Sequence, residues 1–340
     1  MNDFIDSTAA YAKLDHENTC EHADIEATEV LDAGSPLASM SQKVCMTIAV
    51  ILPFVGCISA VVLLWQFGWM GWPYLLMLIA GWGLTTLGIT VGFHRLLTHK
   101  SFETYRWIRA VWMMLGALSV QGEPLTWCAV HRRHHGHSDQ EGDPHSPNLA
   151  GTGIWATLKG LWHGQVGWLF SGYWSHPDFE KYVPDLTTDR LLVWVNKNYF
   201  LFVFLSLAVP AAIGFFFELW LGDGSRSLFF GAFLGFLWGG LVRICWTHHV
   251  TWSINSVCHV FGKRHFKSDD HSTNNFFCAM VSFGEGWHNN HHAFPSSARH
   301  GLLWYQFDFS WCVIRAMRLV GLAWDIKLPS KRALAARRIG

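Results

Sequence analysis

The sequence lacks charge over a long stretch near its beginning. From Val44 to Phe93 there is no Asp, Glu, Lys or Arg, and only 15% of the 340 residues are charged whereas 51% are hydrophobic. Soluble globular chains carry about 25% charged residues. An uncharged apolar stretch of about 50 residues is enough for two membrane-spanning helices of about 20 to 25 residues each. The composition therefore predicts an integral membrane protein.

Several functional motifs are absent as well. The eight cysteines form no CxxC pair, so no disulfide framework is indicated. The net charge at pH 7 is zero, which gives no reason to expect nucleic acid as a partner. The chain has neither a His-Pro-Gly-Gly haem motif nor a GxGxxG dinucleotide loop. A redox activity would therefore need a separate electron donor.

Two pairs of apolar runs predict two helical hairpins. The predicted spans are about 44–67, 73–97, 198–218 and 227–247. Ten Lys or Arg lie in 95–197 and eleven in 244–340, whereas the short loops between paired spans carry only Arg226. By the positive-inside rule, both large polar regions and both termini are predicted to face the cytosol. Arg243 is expected to snorkel or pair at the membrane interface.

Outside the spans, composition predicts three further regions. Residues 1–42 are polar and acidic and predict a disordered tail before a membrane domain at 43–330. Residues 331–340 form a basic C-terminal tail. The stretch 101–121 is hydrophobic but short, so it predicts an interfacial helix rather than a span.

Three histidine motifs stand out among the 20 histidines: HRLLTH at 94–99, HRRHH at 131–135 and HNNHH at 288–292. Their candidate ligands are His94, His99, His131, His134, His135, His288, His291 and His292. Positions i, i+3 and i+4 of a helix share one face, so each HxxHH is predicted to present three imidazoles to a common point. His94 and His99 would lie about 140° apart on an α-helix, which suits two different ions.

The number of histidines indicates more than one metal ion. Imidazole suits Fe, Zn, Cu and Ni, and a single ion rarely takes more than six donors. Eight clustered histidines therefore predict two ions. No acidic residue lies inside the motifs, unlike the Glu-x-x-His pairs of soluble di-iron bundles. The other histidines are expected to have structural or outer supporting roles.

With their intervals and four spans, these motifs resemble the membrane fatty acyl desaturase family, especially the bacterial relatives of the animal stearoyl-CoA desaturases. Supporting runs are GDPHSP at 142–147, GWLF at 167–170, GEGWHNNHHAFP at 284–295 and SARHG at 297–301. The resemblance covers about 45–330. It implies an all-α integral membrane fold with four transmembrane helices in two hairpins and a cytosolic helical cap that holds a di-iron site.

The resemblance also implies further site residues. The run TWSINSVCH at 251–259 matches a family segment, which implies His259 as a ninth ligand and Asn255 as a group that approaches one iron through water. Arg132 would face the substrate headgroup or else be a surface charge. Four residues would shape a bent acyl tunnel, the alternative being ordinary interfacial and packing roles: Gln121, Trp127, Thr251 and Trp252.

The implied activity is desaturation of a saturated fatty acyl chain. The family uses two Fe ions (Fe2+ in the reduced enzyme), O2 and two electrons to form a cis double bond, here expected at Δ9. After GWLF, animal acyl-CoA enzymes have a basic pair, whereas this chain has SGYWS at 171–175, so acyl-CoA and acyl-lipid substrates both stay open. The implied partners are membrane lipid and a cytochrome b5, ferredoxin or rubredoxin type donor with its reductase. The implied location is multi-pass in a bacterial inner membrane.

Two other functions are weighed against desaturation. A membrane hydroxylase of the same metal chemistry would return oxygen to carbon, although known hydroxylase relatives have other histidine spacings. A metal transporter would place its ligands within the spans near the midplane. The histidine motifs instead lie at helix ends on the predicted cytosolic side.

Overall fold

A computed structural model describes residues 40–68, 71–171 and 181–339. The predicted N-terminal tail lies outside these residues except for 40–42, which begin the first helix. The described part is mostly helical, with one short antiparallel sheet in which β1 (Glu103–Thr104) pairs with β2 (Ala323–Trp324).

The helices α1 to α13 are Met40–Phe67, Trp72–Leu87, Arg106–Ala117, Pro124–His137, Ile154–Gln165, Arg190–Lys197, Tyr199–Leu221, Leu228–Gly235, Arg243–Ser256, Phe276–Val281, His288–Ala293, Phe309–Leu319 and Lys331–Arg337. Two π-helical segments, Gly88–Thr98 and Phe236–Val242, continue α2 and α8. Gly167–Phe170 and Val257–His259 are 3-10 turns.

Four continuous helices in the described part are long and apolar enough to cross a membrane. They are Lys43–Phe67, Trp72–Thr98, Tyr199–Leu221 and Leu228–His259, called the first to fourth spans below. They lie where the charge-free runs predict them. The fourth is longer than predicted, because neither Gly nor Pro interrupts residues 241–259. Its extension carries Thr251, Asn255 and His259 beyond residue 247, the predicted end of the span.

Small residues bring the third and fourth spans into backbone contact. A Cβ atom on Gly235 would lie 2.1 Å from the carbonyl oxygen of Pro210, and one on Gly214 would lie 2.2 Å from that of Gly231. Such close approach is typical of helix pairs in membranes, where packing replaces the hydrophobic effect between helices.

Arg243 is buried rather than directed to the membrane interface as predicted. Its guanidinium donates hydrogen bonds to the carbonyl oxygens of Gly239, Leu118 and Ser206 at 2.7, 3.1 and 3.2 Å, and also contacts the Ser206 hydroxyl. Carbonyl dipoles thus replace the expected interfacial water or carboxylate partner. The side chain joins the third and fourth spans to the end of α3.

The basic C-terminal segment packs against the polar region that follows the fourth span. The Lys267 amide donates to the Arg337 carbonyl at 2.7 Å, and the Ile339 amide to the His265 carbonyl at 3.0 Å. Leu334 of α13 packs against Phe266, which is buried. The segment is therefore held on the protein surface.

Candidate metal centre

Nine histidines gather in two buried groups at the inner ends of the second and fourth spans, α4 and α11. The first group is His94, His99, His131, His135 and His291, and the second is His134, His259, His288 and His292. Within each group the candidate ligand nitrogens all lie within 4.8 Å of one another. All nine histidines singled out in the sequence are thus brought together.

Each HxxHH motif contributes to both groups. In α4, His131 and His135 belong to the first group and His134 to the second. In α11 the assignment is reversed: His288 and His292 belong to the second group and His291 to the first. Around a helix, residue i+4 lies about 40° to one side of residue i, whereas residue i+3 lies about 60° to the opposite side. The prediction of one common point for each motif is therefore wrong.

His94 and His99 also share a group, against the prediction that they reach different ions. The prediction assumed α-helical geometry, but Gly88–Thr98 is π-helical. Its bonding pattern joins residues five apart, and the His99 amide donates to the His94 carbonyl at 3.1 Å. The two imidazole centroids consequently lie 4.8 Å apart.

The distances between ring nitrogens fit metal coordination. His135 Nε2 lies 2.8 Å from His291 Nε2 and 3.0 Å from His131 Nε2, and His259 Nε2 lies 3.0 Å from His288 Nε2. Two imidazole nitrogens bound at right angles to one ion, each at about 2.1 Å, would be about 3.0 Å apart. The histidine groups therefore have the spacing of ligand sets.

Buried carboxylates determine which ring nitrogen faces the centre of each group. Nδ1 atoms of four histidines contact carboxylates: His94 with Glu285 at 2.5 Å, His134 with Asp143 at 3.0 Å, His259 with Asp139 at 2.8 Å, and His292 with Asp270. Each contact assigns the imidazole proton to Nδ1 and leaves Nε2 unprotonated.

One pair shows why a cation fits between these rings. The Nε2 atoms of His134 and His292 lie 3.4 Å apart, and both rings keep their proton on Nδ1. Two lone pairs cannot form a hydrogen bond with each other, so a positive ion is the group that would satisfy both.

The pKa values of three ligand candidates favour neutral rings, whereas beside Asp143 the pKa of His134 is raised despite burial. Burial, and then the charges of neighbouring histidines, lower the pKa of His131, His135 and His288 well below the usual value. Burial acts to raise the pKa of Asp143, but the charge and hydrogen bond of His134 outweigh burial and hold that pKa below its ordinary value. Metal binding requires neutral imidazoles beside ionised carboxylates, so an ion bound to the second group would displace the second proton of His134.

Replacing Asp143 with asparagine tests the role of the carboxylates. We expect metal affinity of the second group to fall about 10- to 100-fold, because the His134 ring loses its charged hydrogen-bond acceptor. Iron titration of the metal-free protein measures the affinity. Asp185→Asn, which removes a half-buried carboxylate bound to Arg132, is the matched control, and equal losses in the two variants would contradict this role.

An apolar cavity of about 540 Å3 lies beside the first group. His131 and Asn255 line it, together with apolar side chains of the first, third and fourth spans. The described lining contains no Lys or Arg. It includes all four residues that the sequence assigned to the acyl tunnel: Gln121, Trp127, Thr251 and Trp252.

Three side chains of the cavity lining form a hydrogen-bonded bridge beside the first histidine group. Gln121 Nε2 donates to Thr251 Oγ1 at 2.9 Å, and Trp127 Nε1 donates to Gln121 Oε1 at 3.4 Å. Trp127 also stacks on His131, with ring centroids 5.3 Å apart. The bridge in the cavity lining therefore touches a candidate metal ligand.

The loop that presents Gln121 is strained and fastened from outside. Val120 has a φ of 61°, which is an outlier for a β-branched residue. Its carbonyl accepts a 2.7 Å hydrogen bond from His248 Nε2, and the Gly122 amide donates to the Tyr199 hydroxyl at 2.9 Å. Backbone strain of this kind persists only where surrounding contacts over-determine it.

Arg132 does not line the cavity. Its guanidinium donates to both carboxylate oxygens of Asp185 and to the carbonyl oxygens of Leu97, Thr98 and Tyr182. It therefore braces the chain just before His99. Of the run at 171–175, where acyl-CoA recognition was considered, only Ser171 belongs to the described residues.

Sequence reasoning assigned no roles to the buried carboxylates around the histidines, whereas His300 was among the histidines expected to have structural or outer supporting roles. The four carboxylates have no regular spacing from the histidines that would identify them in the sequence. Asp143 and Glu285 nevertheless fall inside runs that carried the family resemblance. His300 lies against the first group, with its ring centroid 4.6 Å from that of His291. In the sequence, the only signal for Asp143, Glu285 and His300 was that they lie in runs near the histidine motifs.

Apolar spans, two histidine groups that fit metal ions and an adjoining apolar cavity define a membrane protein with a histidine-rich metal centre. The model of the fatty acid desaturase family matches residues 43–318. The chain belongs to the fatty acid desaturase family and is an oxygen-dependent desaturase.

Relatives with assigned activities differ in their substrate carriers. The chain is 40% identical over 291 residues to a hex-5-enoyl-(acyl-carrier protein) acetylenase of Moorena producens, covering 85% of this chain and 87% of the relative. It is 38% identical to an sn-1 stearoyl-lipid 9-desaturase of Anabaena variabilis, covering 78% and 88%. It is 35% identical to an acyl-CoA 5-desaturase of Anemone leveillei, covering 81% and 76%.

Proposed function

We propose that this enzyme forms a cis double bond at Δ9 of a saturated acyl chain carried on a membrane lipid. Two neighbouring CH2 groups each lose one hydrogen, and these two hydrogens combine with O2, two electrons and two protons to form two water molecules. The observation that carries the proposal is the pair of histidine groups, with Nε2 atoms directed inward, beside an apolar cavity. The similarity to a stearoyl-lipid 9-desaturase supports the double-bond position.

The two histidine groups would each hold one Fe ion, which is Fe2+ in the reduced enzyme. Asn255, one helical turn before His259, would reach the second ion through a water molecule. Bound iron supplies the oxidising power needed to break an unactivated C–H bond. The four outer carboxylates keep the Nε2 lone pairs directed at the ions and hold the Nδ1 protons.

The protein's part in the reaction is to select one pair of carbons and exclude water. Burial of one methylene contributes only about 0.8 kcal/mol, so apolar contact alone cannot set the position of the double bond. The bridge of Gln121, Thr251 and Trp127 lies where the cavity meets His131. A fixed constriction at this point would hold the chain in one register.

The cavity lining favours a lipid-bound acyl chain over acyl-CoA. Coenzyme A carries phosphates, which proteins recognise with Arg and Lys. The described lining residues include neither, and the run after Phe170 lacks the basic pair of the animal acyl-CoA enzymes. Substrate supplied within the bilayer is consistent with both features.

We infer that the four spans form two hairpins in a bacterial inner membrane. The 21 Lys and Arg of the two large polar regions, against Arg226 alone in the short loops, support a cytosolic active site and cytosolic termini. The helical cap over the spans would belong to one domain at 43–330, with 1–42 before it and the basic segment 331–340 after it. A separate donor of the cytochrome b5, ferredoxin or rubredoxin type supplies electrons.

Lipid analysis tests the activity. A desaturase-deficient host that expresses the chain is expected to gain a monounsaturated acyl chain, located at Δ9 by mass spectrometry, and the His131→Ala variant is expected to gain none. Separation of lipid classes identifies the carrier. Hydroxy fatty acids would instead identify a hydroxylase, and unchanged lipids despite iron-loaded protein and a working donor would contradict desaturation of ordinary fatty chains.

A further inference from the structure

Seven exposed basic side chains lie close to the third histidine motif. This basic patch consists of Lys263, Arg264, Lys267, Lys331, Arg332, Arg337 and Arg338. None of them forms an ion pair with a carboxylate within the part of the chain that the structure describes. A concentration of unpaired positive charge attracts an acidic partner and raises its association rate.

The two distant segments that carry the patch are joined through their backbones. Backbone hydrogen bonds join residues 265–267 to 337–339, as described above, and an isolated bridge pairs Phe266 with Arg338. Burial, and then the charges of Arg338 and Lys263, lower the pKa of His265, which shows that these charges converge.

The backbone beneath the patch is directly connected to the second histidine group. The amides of His265 and Phe266 donate to Asn289 Oδ1 at 2.8 and 2.9 Å, and Asn289 Nδ2 donates back to the Phe266 carbonyl at 2.9 Å. Asn289 is fully buried and adjoins His288 in the chain. The side chain of Asn289 thus links the segment 265–267 to the helix that carries the candidate ligand His288.

The same loop supports the metal centre from a second direction. Its Asp270 carboxylate contacts Nδ1 of His292 and accepts a 2.8 Å hydrogen bond from the Ser268 hydroxyl. Arg264 of the patch donates to the Ser268 carbonyl at 2.6 Å. The segment 263–270 therefore carries surface charge on one side and outer support of the second group on the other.

We propose that the basic patch is the docking surface for an acidic one-electron carrier protein, which delivers electrons through the segment 265–267 and Asn289 to the second histidine group. The proposal rests on the proposed function, since each double bond requires two electrons. Two carriers are each oxidised by one electron per turnover, and these electrons join O2 and two protons in forming water. Electron-transfer complexes typically have small interfaces and low affinity. Attraction between opposite charges suits them because it guides the encounter of the two proteins.

The test uses the full chain, loaded with iron in nanodiscs of zwitterionic lipid, and an acidic two-iron, two-sulfur ferredoxin as the probe. The patch variant combines Lys263→Glu, Lys331→Glu and Arg332→Glu, which are exposed and make no described hydrogen bond from their side chains. The control variant combines Arg315→Glu, Arg318→Glu and Lys327→Glu, which are exposed elsewhere and change the net charge equally. Ferredoxin binding and the second-order rate of iron reduction are measured at several salt concentrations.

We expect the patch variant to lose about tenfold or more in affinity and in reduction rate at low salt, with a weaker salt dependence. The control variant should stay within about twofold of the parent chain, and chemical reduction by dithionite should be equal in all three. Unchanged ferredoxin binding in the patch variant, or equal losses in both variants, would overturn the docking site. Failure of the parent chain to desaturate lipid with any reductant would instead overturn the proposed function and leave the binding result intact.

Discussion

The His135→Ala variant is expected to bind about one iron per chain instead of two and to lose more than about 100-fold in desaturation. His135 is the residue of the first group whose Nε2 is closest to both a neighbour on its own helix and one on α11, at 3.0 Å from His131 and 2.8 Å from His291. Loss of an outer carboxylate costs about 10- to 100-fold, and loss of a direct ligand should cost more. Iron content by mass spectrometry and lipid products by gas chromatography measure the two effects.

A paired variant makes the prediction specific to each group. His288→Ala removes a ring whose Nε2 lies 3.0 Å from those of both His259 and His292, so it should empty the second group while the first retains its ion. His249→Ala is the control, because this half-buried ring contacts Gln165 and lies outside both groups. Two separate sites would be refuted if either group variant kept two irons, or if His249→Ala lost one.

The spans and the histidine ligands were predictable because both depend on local sequence. A charge-free run must be buried in lipid or protein, and its length sets the number of crossings. Histidines three and four apart on a helix must lie on neighbouring turns. His259, by contrast, stands alone in the sequence and was recognised only through the family resemblance.

The placing of His94 and His99 in one group could not be predicted from ideal α-helical geometry. The π-helical turns over Gly88–Thr98 rotate His99 onto the side of His94, and no residue type in HRLLTH signals this change. In α4, Asp143 holds Nδ1 of His134, a contact that the spacing of the motif does not reveal. Tertiary contacts therefore decided what spacing had left open.

The outer carboxylates and the buried arginines were missed for a related reason. Glu285 meets His94 across 191 positions of sequence, and Asp139 meets His259 across 120. A charge in an apolar run indicates burial or an interface but does not name its partner, so Arg243 was assigned to the interface. Its three backbone acceptors become visible only when the spans are packed together.

Arg95→Met is expected to lower the free energy of unfolding by about 3 to 5 kcal/mol, because it leaves two buried carboxylates without their cation. Arg95 Nη2 lies 3.1 Å from both Glu285 and Asp308, Nη1 donates to the Ala298 carbonyl at 2.9 Å, and the side chain is fully buried. Thermal and denaturant unfolding of the metal-free protein in detergent measures the loss.

The same substitution should weaken the first metal site. Glu285 also contacts Nδ1 of His94 at 2.5 Å, and without Arg95 this buried carboxylate would favour its protonated form, which no longer accepts the His94 proton. Arg109→Met is the control, since the ion pairs of Arg109 with Glu103 and Asp189 are half-exposed and 3.4 Å long. Such pairs contribute no more than about 1 kcal/mol to the free energy of unfolding. Equal stability of the two variants would show that Arg95 does not link the second span to the metal centre, whereas a large loss of both stability and iron would place membrane helix and ligand geometry in one cooperative unit.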